Sequence, residues 1–389
     1  MTQPYTFNKF IFGATAAVIS FGALHAGDYS KVVMDDKNPA VDTGWAVCNF
    51  LDNMDLYENP DNSVLQKLSF TGRAQVDAAF FNSHGSRYEK LQWRRFRSGF
   101  KAQVFDDLTI HSEASFNFNN GVNPAYRGIT DTYIAWSTSD EFELKLGKQS
   151  AGFTLDGATS SKKLIRLERS LLSTNLWFPR EYHTGAAANG EIGNWSYNVG
   201  GFSASSNPEF GDFRGGWFGL FSLGNDFTSS TGLDHASMRL DYVYQNPDVN
   251  NNGTRPFEHV VSLNGKFENG QSGIWTDLAF GDGYFGQSNV FGLQLMPFYN
   301  LTDQLQLVAS YNYLDGKGDN SVRFDRYESR LSTGRADKIH EFFFGVNYYL
   351  CGHKLKWQNG VEYTTSTDRA NDGGDYDGWG YTSGIRISW

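Results

Sequence analysis

Only two cysteines, Cys48 and Cys351, occur among 389 residues. That excludes a disulfide-rich scaffold and any zinc site built on several thiolates. The two can pair in an oxidising compartment or stand as separate free thiols. No apolar run approaches ~18 uninterrupted residues, so no transmembrane helix is expected in the exported chain. An excess of basic residues is also missing: 33 Lys and Arg face 43 Asp and Glu, net −10, which argues against a nucleic-acid partner. Catalytic signatures are absent too. There is no G-x-S-x-G, H-E-x-x-H, G-x-x-x-x-G-K-[ST] or C-x-x-C. His340-Glu341 lacks a second histidine four residues on, and the eight histidines show no metal spacing. The run Asp248-Val-Asn250-Asn-Asn252-Gly253 imitates the start of a calcium loop, but its twelfth position is His259 rather than Glu. It reads as a polar outer loop, as does the Asp-rich run from Asp368 to Asp377. No enzyme, cofactor or metal site is expected.

Proline is scarce at 9 residues, whereas glycine reaches 42 and aromatics 16%, a balance that suits many strands joined by turns. The amino-terminal 26 residues read as a secretory signal: Lys9, an apolar stretch from Phe10 to Leu24, and Leu24-His25-Ala26 before Gly27. Residues 27–63 form an acidic, loop-like pre-barrel segment, expected in the periplasm, in which Trp45 to Leu51 can form one short helix. Residues 64–389 are different. From Trp379 to Trp389 one face reads Trp379, Tyr381, Ser383, Ile385, Ile387, Trp389 and the other Gly380, Thr382, Gly384, Arg386, Ser388. A period of two over ~10 residues is that of a strand long enough to cross a bilayer core at a tilt. Aromatics near both ends sit where a barrel strand places its interfacial girdles.

About sixteen such segments follow one another, from 67–82, 92–105 and 108–118 to 338–349, 354–365 and 379–389. Tight turns at 191–194, 268–271, 300–304 and 350–353 alternate with longer loops such as 150–181, 246–256, 314–337 and 366–378. Short turns on one side and long loops on the other is the construction of outer-membrane barrels, and a soluble sandwich has no reason to keep it. The negative mean hydropathy is no obstacle, because a barrel turns every second residue toward a wet lumen. The expectation is an all-β, closed antiparallel transmembrane β-barrel of about 16 strands. Barrels of that size leave an aqueous channel, hence a passive porin in the bacterial outer membrane, in contact with lipid and lipopolysaccharide. The alternative is a structural or adhesive barrel whose long loops bind outside partners.

Two stretches carry an expected preference for anions. On 92–105, Arg95, Arg97 and Lys101 share the polar face, where residues two apart lie ~6.5–7 Å apart, and so form a ladder along the wall. The longest loop, 150–181, carries Lys162, Lys163, Arg166, Arg169 and Arg180 against Asp156, Glu168 and Glu181. Folded inward, such a loop narrows the channel and concentrates small anionic solutes such as phosphate.

The stretch Arg94-Arg95-Phe96-Arg97-Ser98-Gly99-Phe100-Lys101 resembles the phosphate-selective porin (O and P) family. So do Asp131 to Trp136, Leu144 to Gln149, Leu167 to Ser170, Gly345 to Leu350 and Lys354 to Trp357. The resemblance spans roughly 67–389. It implies a sixteen-stranded homotrimeric outer-membrane channel in which basic side chains guide anions past an inward-folded third loop.

Overall fold

The computed structural model describes residues 45–121 and 123–389. The expected signal at 1–26 and the start of the 27–63 segment lie outside them. Among the described residues, seventeen strands form one antiparallel sheet. Sixteen of them close on themselves: β17 (Asp377–Ser388) pairs with β2 (Leu65–Ser83) from Gly378↔Ser83 to Ser388↔Arg73. Closure leaves no edge, so the strands satisfy one another's amides without water, as a bilayer demands.

From β2 the chain runs through β3 (Ser86–Val104), β4 (Leu108–Phe116), β5 (Tyr126–Ser139), β6 (Phe142–Ser150), β7 (Tyr182–Ile192), β8 (Trp195–Ser203) and β9 (Trp217–Asp226). It continues as β10 (His235–Gln245), β11 (Phe257–Asn269), β12 (Ser272–Gly283), β13 (Val290–Asn300), β14 (Leu305–Gly316), β15 (Lys338–Tyr349) and β16 (Leu355–Thr367). Turns and loops alternate as expected with two departures. β2 and β3 join through only His84 and Gly85 at the long-loop end, and β9 and β10 are linked at the short-turn end by a connection holding one helical turn, Thr228–Thr231.

Alternation fixes the faces. On β16, Lys356, Gln358 and Thr364 are buried, while Trp357 and Val361 are exposed. On β17, Trp379, Tyr381 and Ile385 look outward, and Thr382, Arg386 and Ser388 look in. Exposed Phe100, Ile110, Ile134, Leu146, Leu278 and Phe342 continue that apolar belt around the barrel. Open apolar side chains in such number have no place in water and suit acyl chains.

Strict alternation fails in β3. Gln75 pairs with Arg95 but Val76 pairs with Trp93, so Arg94 is an extra residue. This bulge puts both Arg94 and Arg95 on the lumen side and turns Trp93 to the outer face. An unbroken period of two places Trp93 with the arginines; the structure does not.

The described part of the segment before the barrel, from Trp45 on, is docked at the short-turn end. Its helix α1 (Ala46–Asp52) is tied to the β15–β16 turn by a Cys48–Cys351 disulfide, whose Cα atoms lie 5.3 Å apart. Lys354 Nζ adds bonds to the Leu51 carbonyl at 3.1 Å and Asp52 at 2.6 Å. The next strand, β1 (Asp55–Glu58), pairs with Lys67 to Ser69 of β2.

Candidate pore constriction

Residues 151–181 leave the wall after β6 and fold into the barrel, where most of them are buried. Two short helices give the loop its shape. α2 (Leu155–Ala158) is capped by Thr154, and α3 (Leu171–Leu176) by Ser170. A loop stays inside a wet barrel only if it buries apolar surface there. Leu171, Leu172, Leu176, Trp177 and Phe178 form a core with Phe218, Val243, Phe257, Val260 and Val290 of the wall. Each fully buried side chain of this kind contributes roughly 1.5–3 kcal/mol. Gly281 and Gly292 make room for the helix: a Cβ at Gly281 meets Leu176 at 2.8 Å, and one at Gly292 meets Leu172 at 3.1 Å. The lumen is therefore part dry, a feature that the polar inner face of the strands does not disclose.

Each polar end of the loop finds a partner of opposite sign. At the β10–β12 wall, Asp241 and Asp277 accept the Thr154 and Leu155 amides at 3.0 and 2.6 Å. Arg166 donates to Glu341 at 2.6 Å, to Ser310 at 3.0 Å, and stacks over Phe343 with its guanidinium carbon 4.4 Å from the ring centre. Glu362 lies 3.5 Å from it. Toward β2 and β3 the signs reverse, for Glu168 holds Arg94 in a two-pronged pair, one arm at 2.6 Å. Glu181 joins Arg97 at 3.0 Å and Arg169 at 3.0 Å. Burial would raise the Glu181 carboxyl, but the charges of Arg169, Arg97 and Arg95 outweigh it and hold it well below the ordinary range.

The residues singled out from sequence are thus distributed. Arg95 donates to the neutral amide of Gln75 at 2.8 Å, and its nearest carboxylate, Glu168, is 4.0 Å away. Arg97 also bonds to Tyr182 and stacks on its ring. Lys101 sits lower on β3, opposite Ser69 and His111. Lys162 donates to the Trp389 carbonyl at 3.0 Å. Arg169 bonds to the carbonyls of Asp156 and Thr159 and lies over Trp177. Lys163 belongs to a separate group near the short-turn end. There burial, with the charges of Lys356, Lys163 and Lys266, holds His353 well below the usual histidine value. Arg94, Arg73 and Arg386 join the site without having been expected there. Arg73 donates to Ser161 at 2.7 Å and faces Glu113 at 3.6 Å, and Arg386 pairs with Asp77.

A second segment, 317–337 between β14 and β15, which the sequence marks only as one of the longer loops, also turns inward. Tyr327 donates to Asp77 at 2.9 Å and packs on Phe81, and Asp325 accepts from Thr174 of α3 at 2.9 Å. Its apolar members Val322, Phe324, Tyr327 and Leu331, set among polar residues, are the signal that marks it. The aspartates of the outer loops bind their own turns: Asp368 accepts the amides of Asn371, Asp372, Gly373 and Gly374, and Asp248 that of Asn250.

A closed sixteen-strand barrel with its lumen crossed by a long inward loop defines an outer-membrane porin. The family described as "Phosphate-selective porin O and P" matches residues 69–278, more than half of the chain, and the protein belongs to it. No curated protein matches the sequence. Among solved structures, an anion-selective porin from Comamonas acidovorans is similar with a TM-score of 0.59 and 12% identity, over 83% of this chain and 99% of that one. OmpF of Salmonella typhi, in complex with daunomycin, has a TM-score of 0.59 and 14% identity over 86% and 100%. The trimer form of OmpT from Vibrio cholerae has a TM-score of 0.51 and 13% identity over 83% and 99%. These share the fold. The protein is a passive channel of the bacterial outer membrane.

Proposed function

We propose that the channel prefers anions, with phosphate-like oxyanions as its natural solutes, and that it works by diffusion without a catalytic step. One observation carries this reading. Where loop 151–181 meets β2, β3 and β17, the basic groups Arg73, Arg94, Arg95, Arg97, Arg169, Arg386 and Lys162 outnumber the carboxylates Asp77, Glu113, Asp131, Glu168 and Glu181. Arg95, held by a neutral amide, is the least compensated of them. A surplus of fixed positive charge in a low-dielectric crossing raises the local anion concentration, and a guanidinium fork fits two oxyanion oxygens at once. Arg95, Arg97, Lys101, Lys162, Lys163, Arg166 and Arg169 act in two ways. Arg166 and Arg169 chiefly hold the loop, and the others shape the field.

The reading extends to assembly and export. Residues 1–26 are a cleaved signal, and 27–63 a periplasmic segment, consistent with the docking of Cys48 and of β1 at the short-turn end. The working unit is a homotrimer, by analogy with the trimer form of OmpT, and the exposed apolar belt contacts lipid and lipopolysaccharide. The test is the reversal potential of the purified channel in a planar bilayer across a potassium chloride gradient. Wild type is expected to favour chloride, and Arg95→Gln to move the potential toward zero. A cation-selective wild type, or an Arg95→Gln channel with unchanged potential, would overturn the proposal.

A further inference from the structure

Three carboxylates from separate parts of the chain meet inside the lumen. Glu328 comes from a single helical turn, Glu328–Arg330, of the inward segment 317–337, Glu341 from β15 and Glu362 from β16. One oxygen from each lies within 4.8 Å of one from each of the others. Glu328 and Glu362 are within hydrogen-bonding reach, carboxyl against carboxyl. Asp325 is near enough for its charge to act on Glu328. Opposing charge is scarce. Among the described residues Arg166 is the one basic group paired with the trio, 2.6 Å from Glu341 and 3.5 Å from Glu362. Asn312 donates its amide to Glu341 at 2.9 Å, and Thr364 its hydroxyl to Glu328 at 3.4 Å. Two like charges ~4 Å apart repel by about 4 kcal/mol at an effective dielectric constant of ~20, so one arginine leaves much of the repulsion standing.

Two orphaned polar atoms point to a ligand. Arg166 and Asn312 both bond to Glu341 Oε1, which leaves Oε2 buried with no hydrogen-bond partner among the described residues. The hydroxyl of Tyr376, a residue outside the trio and only 1% exposed, lacks a partner in the same way. Burial, then the charges of Glu328 and Glu362, hold that hydroxyl above the usual tyrosine value, which sets it beside the carboxylates. Buried polar atoms are nearly always satisfied, and an orphaned one costs ~1–3 kcal/mol. A hydrated divalent cation answers both at once. The ion takes the carboxylate oxygens, and a water on the ion accepts from the hydroxyl.

We propose that Glu328, Glu341 and Glu362 bind a divalent cation, calcium in preference to magnesium, and that the ion fastens segment 317–337 to β15 and β16. All the protein ligands are oxygens, which suits a hard cation. Two oxygens on opposite sides of a calcium ion, each at ~2.4 Å, stand ~4.8 Å apart, so the trio fits within one calcium coordination sphere. Magnesium demands a tighter octahedron at ~2.0–2.1 Å and dehydrates reluctantly. Ligands drawn from a loop and two strands fit the more flexible calcium shell. The site uses none of the arginines of β2 and β3, so it stands or falls independently of ion preference in conduction.

Terbium luminescence and calorimetry test it on the folded channel in detergent, first stripped of divalent ions with a chelator. Terbium is expected to be sensitised by Tyr376 and displaced by calcium with a Kd on the order of 10⁻⁴–10⁻³ M, and by magnesium only at higher concentration. Calcium should also raise the midpoint of heat-modifiable unfolding by mass action. Glu328→Gln and Glu362→Gln should each weaken calcium binding roughly tenfold or more, because affinity follows the charge count of the ligands. Without calcium both variants lose a repelling charge and should unfold no earlier than wild type, which separates lost binding from lost folding. Asp140→Asn removes the same charge from the exposed turn between β5 and β6 and should leave binding unchanged. No calcium binding up to about 10 mM or tighter binding of magnesium would overturn the proposal. So would an affinity unchanged in both glutamine variants, the mark of an adventitious ion only.

Discussion

Half the barrel circumference separates β2 from β10, and the two walls meet the inward loop with groups of opposite sign. Around β2 and β3 the lumen presents Arg73, Arg94, Arg95 and Arg97; around β10 and β12 it presents Asp241 and Asp277, with Glu341 further on at β15. The loop between them is charge-matched to both. It turns Glu168 and Glu181 toward the arginines, and Arg166 and two backbone amides toward the carboxylates. Both walls are bonded, but to unequal degree. Asp241 and Asp277 are completed by loop amides and neighbouring side chains, whereas Arg95 is left with a neutral amide and a distant carboxylate. The carboxylate wall serves as an anchor, and the arginine wall keeps a remainder of charge to act on solutes.

Breaking the anchor should have the largest effect. Arg166→Ala leaves Glu341 buried without its partner, and losing one member of such a pair costs about 3–5 kcal/mol. The expected outcome is a loop 151–181 that no longer stays docked, seen as a larger single-channel conductance and a lower midpoint of heat-modifiable unfolding. Next comes Asp277→Ala, which strips the acceptor from the Leu155 amide and from Ser262. It should cost about 1–3 kcal/mol and raise conductance less. On the opposite wall Glu181→Gln frees Arg97 and Arg169 from their shared carboxylate. It should increase chloride preference in the reversal potential while lowering stability modestly. The smallest effect belongs to the rim, where Asp55→Asn removes a partly exposed pair with Lys67 and should change the unfolding midpoint by the equivalent of about 1 kcal/mol or less.

The two inward loops should also answer pH in opposite senses. Glu181 is held below its ordinary value, so its contribution is present at neutral pH and is lost only as pH falls through that lowered value. Asp325 and Glu328 are raised to about 7 by burial first and then by neighbouring carboxylates. The native state therefore binds more protons than the unfolded chain between the ordinary carboxyl range and 7. Docking of 317–337 should weaken as pH rises across that window and be weakest above it. Hydrogen exchange at residues 322–332, scaled for intrinsic rates, should show slower opening at pH 5 than at pH 8; equal or reversed opening would contradict the assignment.

How far these walls could be read in advance follows from the range of the interactions. Side-chain period is local, so β16 and β17 announce their lipid and lumen faces in Trp357, Val361, Tyr381 and Ile385 against Gln358, Glu362 and Arg386. The inward loop was legible from its length and its basic residues. The bulge at Arg94 was not, because one inserted residue in a run of arginines leaves no trace in composition. Nor was the pairing of Arg166 with Glu341, which lie 175 positions apart. The inward turn of 317–337 stayed hidden because four apolar residues in a polar loop do not name the surface that covers them.

The disulfide has a mechanical consequence. Cys351 sits just before β16, and Cys48 just before the segment that leads into β2. The seam between β17 and β2 is held by hydrogen bonds, an ion pair and ring contacts, yet the chain on either side of it is joined through sulfur. A pull applied beyond β17 would peel away that strand and β16, then reach Cys351 and stop. From there the load would pass across the bridge to the far side of the same seam, bypassing the chain between two cysteines that are 303 positions apart. Under oxidising conditions the barrel is thus a hoop with a covalent latch beside its opening, able to lose two strands to tension but not to unwind.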